Sequence, residues 1–372
     1  MKLIIDLIGF EHGKAYGFEE FIFNILHTFS ERRETIKVDE IIVACYDNQK
    51  DYIFSRIPYG IDVVTFKYSG FINRLLLSRK LPYYLNLSSD DIVFYPGNTM
   101  PLKKPITKTL LVVHDLLSYH PAFCSKTLHF QLYRLHKFIY IPRSIKNADT
   151  VVAISQYTKD EIIQRFGTEE SKIRVVYNCF NFEKYGEVMG TTPYIEGKYI
   201  LTVCSSAKHK NHQILLRAFC EIGHSFSDLK FVIVGGLSKE AESFYNDIPS
   251  SIRKRIVFVN NISNRDLGNI YHNALAYMSA SLYEGLGMPV VEALYFGLPT
   301  FLSDIEIHRE VSFNKAFYFE DNDYHQLASL VIDYLEGKSK KQSLAASSIL
   351  ARYSEQNTSM RYVEEINLLA QK

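Results

Sequence analysis

The sequence predicts an α/β protein of two doubly wound, Rossmann-like domains facing one another across a cleft. Three observations carry this expectation. Short apolar runs alternate with longer amphipathic ones almost from end to end; 372 residues exceed what one hydrophobic core normally serves; and the alternation lapses once, near residues 180–197, before it restarts.

In chain order, strand-like runs fall at 2–8, 39–46, 61–67, 91–95, 108–114, 150–155 and 173–177. Amphipathic stretches at 17–31, 72–86, 125–147 and 156–166 supply helices between most of them, the pattern of a parallel sheet covered on both faces. After Asn178 comes a looser segment with Gly186, Gly190, Pro193 and Gly197. Strands resume at 199–204, 231–235, 256–260, 275–280 and 299–302, and 355–370 reads as a last amphipathic helix. The domains are therefore set at 1–180 and 181–354. Doubly wound sheets bind ligands at the carboxyl ends of their strands, which places a shared site in the cleft.

A hydrophobic content of 47% can build sizeable cores, and a net charge of +1 gives no general attraction to nucleic acid. The five cysteines, Cys45, Cys124, Cys179, Cys204 and Cys220, show no C-x-x-C pairing and suit reduced thiols in a cytoplasmic protein. The apolar start, Leu3 to Ile8, is broken by Asp6 and fits a buried strand better than a signal peptide. No apolar run reaches the roughly 20 residues of a membrane span, so the chain is expected to be soluble or attached to a membrane only peripherally. No H-E-x-x-H, G-x-S-x-G or Walker lysine motif is present, nor a D-x-D of the metal-carrying sort, so no metal and no cofactor are expected.

The most informative stretch runs from Ser279 to Leu294. A strand-like run ends, two glycines turn the chain, and Pro289 opens a helix, a position where its missing N–H costs nothing. The amides of Gly285, Leu286, Gly287 and Met288 would then lie at a helix N-terminus, which suits an anion such as phosphate. Glu284 at the turn and Glu292 inside the helix would repel phosphate but can accept hydrogen bonds from sugar hydroxyls. Together they suggest a nucleotide sugar.

Five further places carry polar residues at strand ends. The Gly9–Gly17 loop, with Lys14 and Tyr16 between Gly13 and Gly17, is either a plain turn or a ligand contact. His114-Asp115 follows a buried run, where His114 can donate to a sugar hydroxyl or simply pack against Asp115. Ser155 suits a helix N-cap. Ser205, Ser206, Lys208, His209 and Lys210 lie between a strand and a helix, placed either to bind a diphosphate or to form a solvated loop. Asn260 and Asn261 end another strand. Finally, 67–86 carries Arg74, Arg79 and Lys80 among Phe71, Leu75, Leu76, Leu77, Tyr83 and Tyr84, and 128–146 interleaves Arg134, His136, Lys137, Arg143 and Lys146 with Phe130, Tyr133, Phe138 and Tyr140. Such segments can lie on an anionic membrane or grip a lipid diphosphate, or be ordinary helices with snorkelling cations.

Glu284-Gly-Leu-Gly-Met-Pro-Val-Val-Glu292 resembles the E-x7-E motif of the retaining family 4 glycosyltransferases, which have the GT-B fold. His114-Asp115-Leu116, the 148–155 segment and Lys210-Asn211 match further segments of that family. The resemblance implies a metal-independent, retaining transfer of a hexose-type sugar from a nucleotide-sugar donor to a saccharide or lipid-diphosphate-linked acceptor, in surface polysaccharide or O-antigen assembly. It implies that Lys210 and Glu284 serve catalysis with His114, that Glu292 holds the ribose, and that Gly285–Met288 contact sugar and diphosphate. It turns the loop of Gly17 toward the donor phosphates and assigns Asn261 to the base pocket, and with the usual arginine absent either Lys208 compensates or the phosphate contacts differ. It also implies that the 355–372 helix crosses back onto the first domain, which would bind the acceptor. The chain departs from the family in two places: Ser205 stands where an arginine is usual, and Asn178-Cys179 where Asn-Gly is. A nucleotide-sugar epimerase on the same architecture and a non-catalytic sugar binder remain as alternatives.

Overall fold

A computed structural model describes the chain except residues 14–15, 58, 68–70, 124–126, 188–189 and 341–343, and gives the backbone only at 16, 71–76, 129 and 133. Lys14 and Cys124 thus lie outside the described residues, as do the side chains of Tyr16, Phe71, Arg74, Leu75, Leu76 and Tyr133. The chain divides into two compact units. The first comprises Met1–Tyr119, Lys126–Asn181 and Arg352–Lys372, the second His120–Ser125 and Phe182–Ala351. His120–Ser125 joins the second unit, a membership that linear boundaries do not anticipate.

In the first unit the elements run β1 (Lys2–Asp6), α1 (Tyr16–Glu31), β2 (Glu40–Tyr46), α2 (Lys50–Phe54), β3 (Asp62–Phe66), α3 (Phe71–Tyr84), β4 (Ile92–Tyr95), β5 (Lys108–Val113), α4 (Leu128–Asn147), β6 (Thr150–Ala153), α5 (Gln156–Phe166) and β7 (Ile173–Val175). The second continues with β8 (Tyr199–Cys204), α6 (His212–Ser225), β9 (Lys230–Gly235), α7 (Lys239–Asp247), α8 (Ser250–Arg253), β10 (Ile256–Val259), α9 (Asn264–Asn273), β11 (Ala276–Ser279), α10 (Met288–Tyr295), β12 (Thr300–Ser303), α11 (Glu306–Val311), β13 (Phe317–Phe319), α12 (Tyr324–Leu335) and α13 (Ala346–Tyr353). The last helix is α14 (Glu355–Ala370).

Every described pairing between these strands is parallel, in the orders β3-β2-β1-β4-β5-β6-β7 and β10-β9-β8-β11-β12-β13. Parallel strands need helical crossovers, which cover both faces, and so β4, β6, β11 and β12 are buried along their whole lengths. The first core gathers Ile4, Val93, Leu111 and Val151, the second Ile200, Phe219, Phe231 and Phe301.

Both sheets reverse their order of growth once, between β1 and β4 and between β8 and β11, and the crevice beyond the strand ends at such a point is the usual ligand position.

Two details set the second unit's strand ends. Gly235 has φ +112°, and a Cβ there would stand 2.0 Å from the Cys204 carbonyl oxygen, so only glycine lets β9 end against β8. Gly287 has φ +84° and caps α10, with Pro289 in its first turn as expected. Helix α14 packs within the first unit, where Tyr362 meets Phe21 and Phe94 and Asn367 bonds Thr35 and Lys37. The chain's return to that unit is stitched to its exit: Phe180 N–H donates to Tyr353 O at 2.8 Å and Glu355 N–H to Phe180 O at 3.0 Å.

Candidate functional site

In the second unit, β8 and β11 are neighbours, so the loops that follow them meet at the reversal point. Leu282 N–H donates to His209 O at 2.8 Å, tying one loop to the other. This brings the Lys210 ammonium against Glu284 Oε1 in an ion pair with both side chains nearly covered, 14% and 13% exposed. Burial opposes the Glu284 charge, but the Lys210 and His209 charges and hydrogen bonds from Lys210 and Ser281 outweigh it and hold the carboxyl at about 2. The pair lines a small cavity with Cys204, Ser281, Gly287 and Val290.

Asn211 takes a left-handed turn, φ 52°, to start α6, which buries His212 behind the lysine. Burial first, then the Lys210 charge, pushes His212 down to about 4. Its Nδ1 accepts from Ser238 N–H at 3.4 Å, leaving Nε2 to face Cys204 Sγ at 3.1 Å.

One turn inside α10, Glu292 is 5% exposed. Tyr271 Oη donates to its Oε2 at 2.8 Å, and Lys184 Nζ lies 3.5 Å from its Oε1. Sequence reasoning missed both partners. Lys184 sits in the looser segment, and Tyr271 on α9 reads as an ordinary core aromatic. Tyr277 beneath them is fully buried, and burial, then Cys204, Glu284 and Glu292, pushes its hydroxyl well above its ordinary pKa.

The other expected donor-side residues divide. Gly285 and Met288 are half-buried and Leu286 and Gly287 buried around the turn, while Ser205 and Ser206 are exposed after β8. Lys208 does not join Lys210: its Nζ donates to the Ala122 carbonyl at 2.8 Å. Asn261 is exposed beyond β10, with a left-handed φ of 55°.

In the first unit, His114 follows β5. Its backbone N–H donates to Asn98 Oδ1 and its ring Nε2–H to Pro96 O, both at 2.7 Å, with Phe18 and Phe21 edge-on. Burial lowers its pKa, against the Pro96 carbonyl and Asp115, so the ring favours the neutral form. With Nε2–H given to Pro96, its Nδ1 offers a lone pair, so the expected donor is here an acceptor. Gly17 is the second residue of α1. Ser155 accepts from Thr158 N–H at 3.1 Å, an N-cap to α5.

A cavity of about 140 Å³ opens at this unit's own reversal point, between the ends of β1 and β4. Asp6, Ser78, Tyr95, His136, Lys137 and Tyr140 are among the residues that line it. Ser78 Oγ donates to Asp6 Oδ2 at 2.6 Å, and the buried Tyr95 hydroxyl has no hydrogen-bond partner among the described residues. The Tyr95 hydroxyl and the Asp6 carboxylate suit a polyhydroxylated ligand.

The same helix α4 that lines this cavity carries an exposed apolar stripe: Leu128, Leu132, Leu135 and Ile139, 76%, 60%, 57% and 39% exposed, three and four residues apart. Arg143 and Lys146 continue it, exposed, and α4 contains no acidic residue. No helix of the described residues is long and apolar enough to cross a membrane, and among them no three His, Cys, Asp or Glu side chains are grouped to hold a metal ion.

Comparison with known proteins matches each unit separately. Residues 192–349 match the family model described as Glycosyl transferases group 1, and residues 19–184 the one described as Glycosyltransferase Family 4. The O-antigen chain mannosyltransferase RfbU of Salmonella typhimurium is 27% identical over 309 residues, 78% of this chain and 80% of that one. Two solved structures share the fold. The glycosyltransferase of Rickettsia africae superposes with a TM-score of 0.69 at 15% identity, over 100% of this chain and 99% of that one. Anabaena Alr3699/HepE, in complex with UDP and glucose, superposes with a TM-score of 0.70 at 16% identity, over 99% and 100%.

Proposed function

The chain belongs to the family 4 glycosyltransferases of the GT-B fold, and from that premise we propose that it moves a hexose-type sugar from a nucleotide-sugar donor to a saccharide or lipid-linked saccharide acceptor, with retention and without a metal, in polysaccharide assembly. The observation that carries the reading is the meeting of Lys210 with Glu284 beside the Gly285–Met288 turn, at the second unit's reversal point. A cation, helix-start amides and a carboxylate converge there, which suits diphosphate and sugar hydroxyls together.

In this reading Lys210 turns from Glu284 to the donor diphosphate and stabilises the charge that develops as it departs. Glu284 is then free to accept from a sugar hydroxyl. Glu292, already oriented by Tyr271, accepts from the ribose. The sugar C1–O bond breaks, the acceptor oxygen bonds C1 on the same face, and the acceptor's proton passes to the departing phosphate oxygen. Orientation and electrostatics carry the rate, since no side chain is required as a nucleophile.

The first unit's cavity is assigned to the acceptor sugar, with Asp6 and Tyr95 bonding its hydroxyls and His114 accepting from a sugar hydroxyl at Nδ1. The apolar stripe of α4, ending in Arg143 and Lys146, suits the surface of an anionic bilayer holding a lipid-linked acceptor. O-antigen assembly by the Salmonella relative supports this setting.

Mass spectrometry of a nucleotide-sugar panel incubated with purified protein, with and without chelator, tests the reading. Release of a nucleoside diphosphate from one donor, unaffected by chelator and lost in Lys210→Ala and Glu284→Gln, is expected. With an acceptor, NMR of the product should show the donor's anomeric configuration. Isomerised donor without diphosphate release would mark an epimerase, and a panel in which nothing binds would overturn the reading.

A further inference from the structure

His308, on α11, touches none of the groups discussed so far, yet it is fully buried and its hydrogen bonds run toward Glu284. Its Nδ1 lies 2.9 Å from the Ser303 carbonyl oxygen and 3.1 Å from Ser303 Oγ. A carbonyl only accepts, so Nδ1 carries the hydrogen. Ser303 gives its own hydroxyl hydrogen to the Ser281 carbonyl at 2.5 Å, which turns its oxygen lone pairs toward Nδ1–H. Ser281 in turn hydrogen-bonds the Glu284 carboxylate. Each donor direction in this series is thereby fixed, from the end of β12 to the turn after β11.

The other ring nitrogen supplies a second observation. With the hydrogen on Nδ1, Nε2 is a bare acceptor, and it is buried without a partner among the described residues. An orphaned buried acceptor costs stability, and a Leu of similar size would fill the space without that cost. Packing alone therefore does not account for an imidazole here; the Nδ1–H does.

We propose that His308 is a positioning residue for Glu284, acting through Ser303 and Ser281 to fix the turn from which Glu284 reaches the donor sugar. The inference rests on the reading of Glu284 as a sugar-binding carboxylate. It separates holding the turn from making it: Gly287 and Pro289 set the backbone path, and the His308 series sets where Ser281 and the carboxylate stand along it.

The test compares His308→Leu, His308→Asn, Ser303→Ala and the His308→Leu/Ser303→Ala double variant with wild type and Glu284→Gln, reading kcat, donor KM and melting temperature. Leu at 308 and Ala at 303 should each lower kcat about tenfold with donor KM within about twofold, and the double variant should be no worse than the poorer single one. Asn, whose amide N–H can stand near the Nδ1 position, should recover most of the rate. If His308→Leu fails to fold, Ser303→Ala and His308→Asn carry the comparison. Wild-type kcat in His308→Leu or Ser303→Ala beside an inactive Glu284→Gln would overturn the inference, as would losses that multiply in the double variant or an Asn enzyme as slow as Leu. A fully active Glu284→Gln would overturn the reading of Glu284 and this inference together.

Discussion

The ammonium of Lys210 and the carboxylate of Glu284 neutralise each other within the second unit, although the loops that carry them lie 74 residues apart in sequence. The two groups read from the sequence as ligand contacts are thus each other's partner. In the proposed reaction the donor diphosphate draws the lysine away, and that exchange releases the carboxylate for the sugar. Binding of the phosphate end and readiness of the sugar end are thereby coupled through one ion pair.

Removing one member of the pair should be worse than removing both. Lys210→Ala leaves a buried carboxylate uncompensated, which costs about 3–5 kcal/mol, and it removes a charge-assisted phosphate contact worth roughly 10- to 150-fold in kcat/KM. Lys210→Met combined with Glu284→Gln should recover most of the melting temperature but none of the turnover. Thermal melts and diphosphate release on the three proteins check this.

Acid should weaken the second unit in two stages. The folded values of His212 and Glu284, about 4 and about 2, lie below their ordinary values of 6.5 and 4.5. The unfolded chain therefore takes up each proton first, and each contribution is complete above the ordinary value and lost as pH falls toward the folded one. His212 loses its share between about pH 6.5 and 4, and Glu284 between about pH 4.5 and 2. Urea denaturation across this range should show stability falling below about pH 6.5, and His212→Asn should reduce the upper stage, to which the buried His308 also contributes, while leaving the lower one.

Tyr271→Phe keeps the ring and removes the hydroxyl, with its 2.8 Å bond to Glu292 Oε2 and its longer 3.4 Å contact to the Pro289 carbonyl oxygen. If Glu292 holds the ribose, donor KM should rise about 3- to 10-fold with kcat within about twofold, because the lost contact serves ground state and transition state alike. A kcat that fell as far as KM rose would place Glu292 nearer the reacting sugar.

The α4 stripe predicts a membrane effect separable from folding. Leu132→Ser with Leu135→Ser should lower the partition coefficient onto vesicles rich in anionic lipid by about a hundredfold or more, since each buried side chain contributes roughly 1.5–3 kcal/mol, while melting temperature stays put. Neutral vesicles should bind wild type weakly, because Arg143 and Lys146 then find no counter-charge. Equal binding of both proteins to anionic vesicles would remove α4 from the surface.

Much of this was legible in the sequence because it depends on local signals. Strand runs, the Gly287–Pro289 helix start and the Ser155 cap depend on neighbours a few residues away. The strand Phe317–Phe319 escaped notice because three residues are too few to show a period. What could not be read was pairing at distance. Lys184 reaches Glu292 across 108 residues, and His308 reaches Ser281 through a strand order that composition does not reveal. Lys208 looked equivalent to Lys210 but takes a backbone carbonyl instead, and the Pro96 carbonyl that occupies His114 lies 18 positions away.

The hydrogen bonds from Phe180 to Tyr353 and from Glu355 back to Phe180 have a consequence for synthesis on the ribosome. The first unit begins with Met1 but cannot finish without α14, so between its two halves some 170 residues of the second unit must be translated. At 5–20 residues per second that is roughly 10 to 30 s, during which the face of α1 awaiting Tyr362 stands open. The second unit, contiguous apart from a short segment, can close first, and a nascent chain should therefore become protease-resistant from its middle before its beginning.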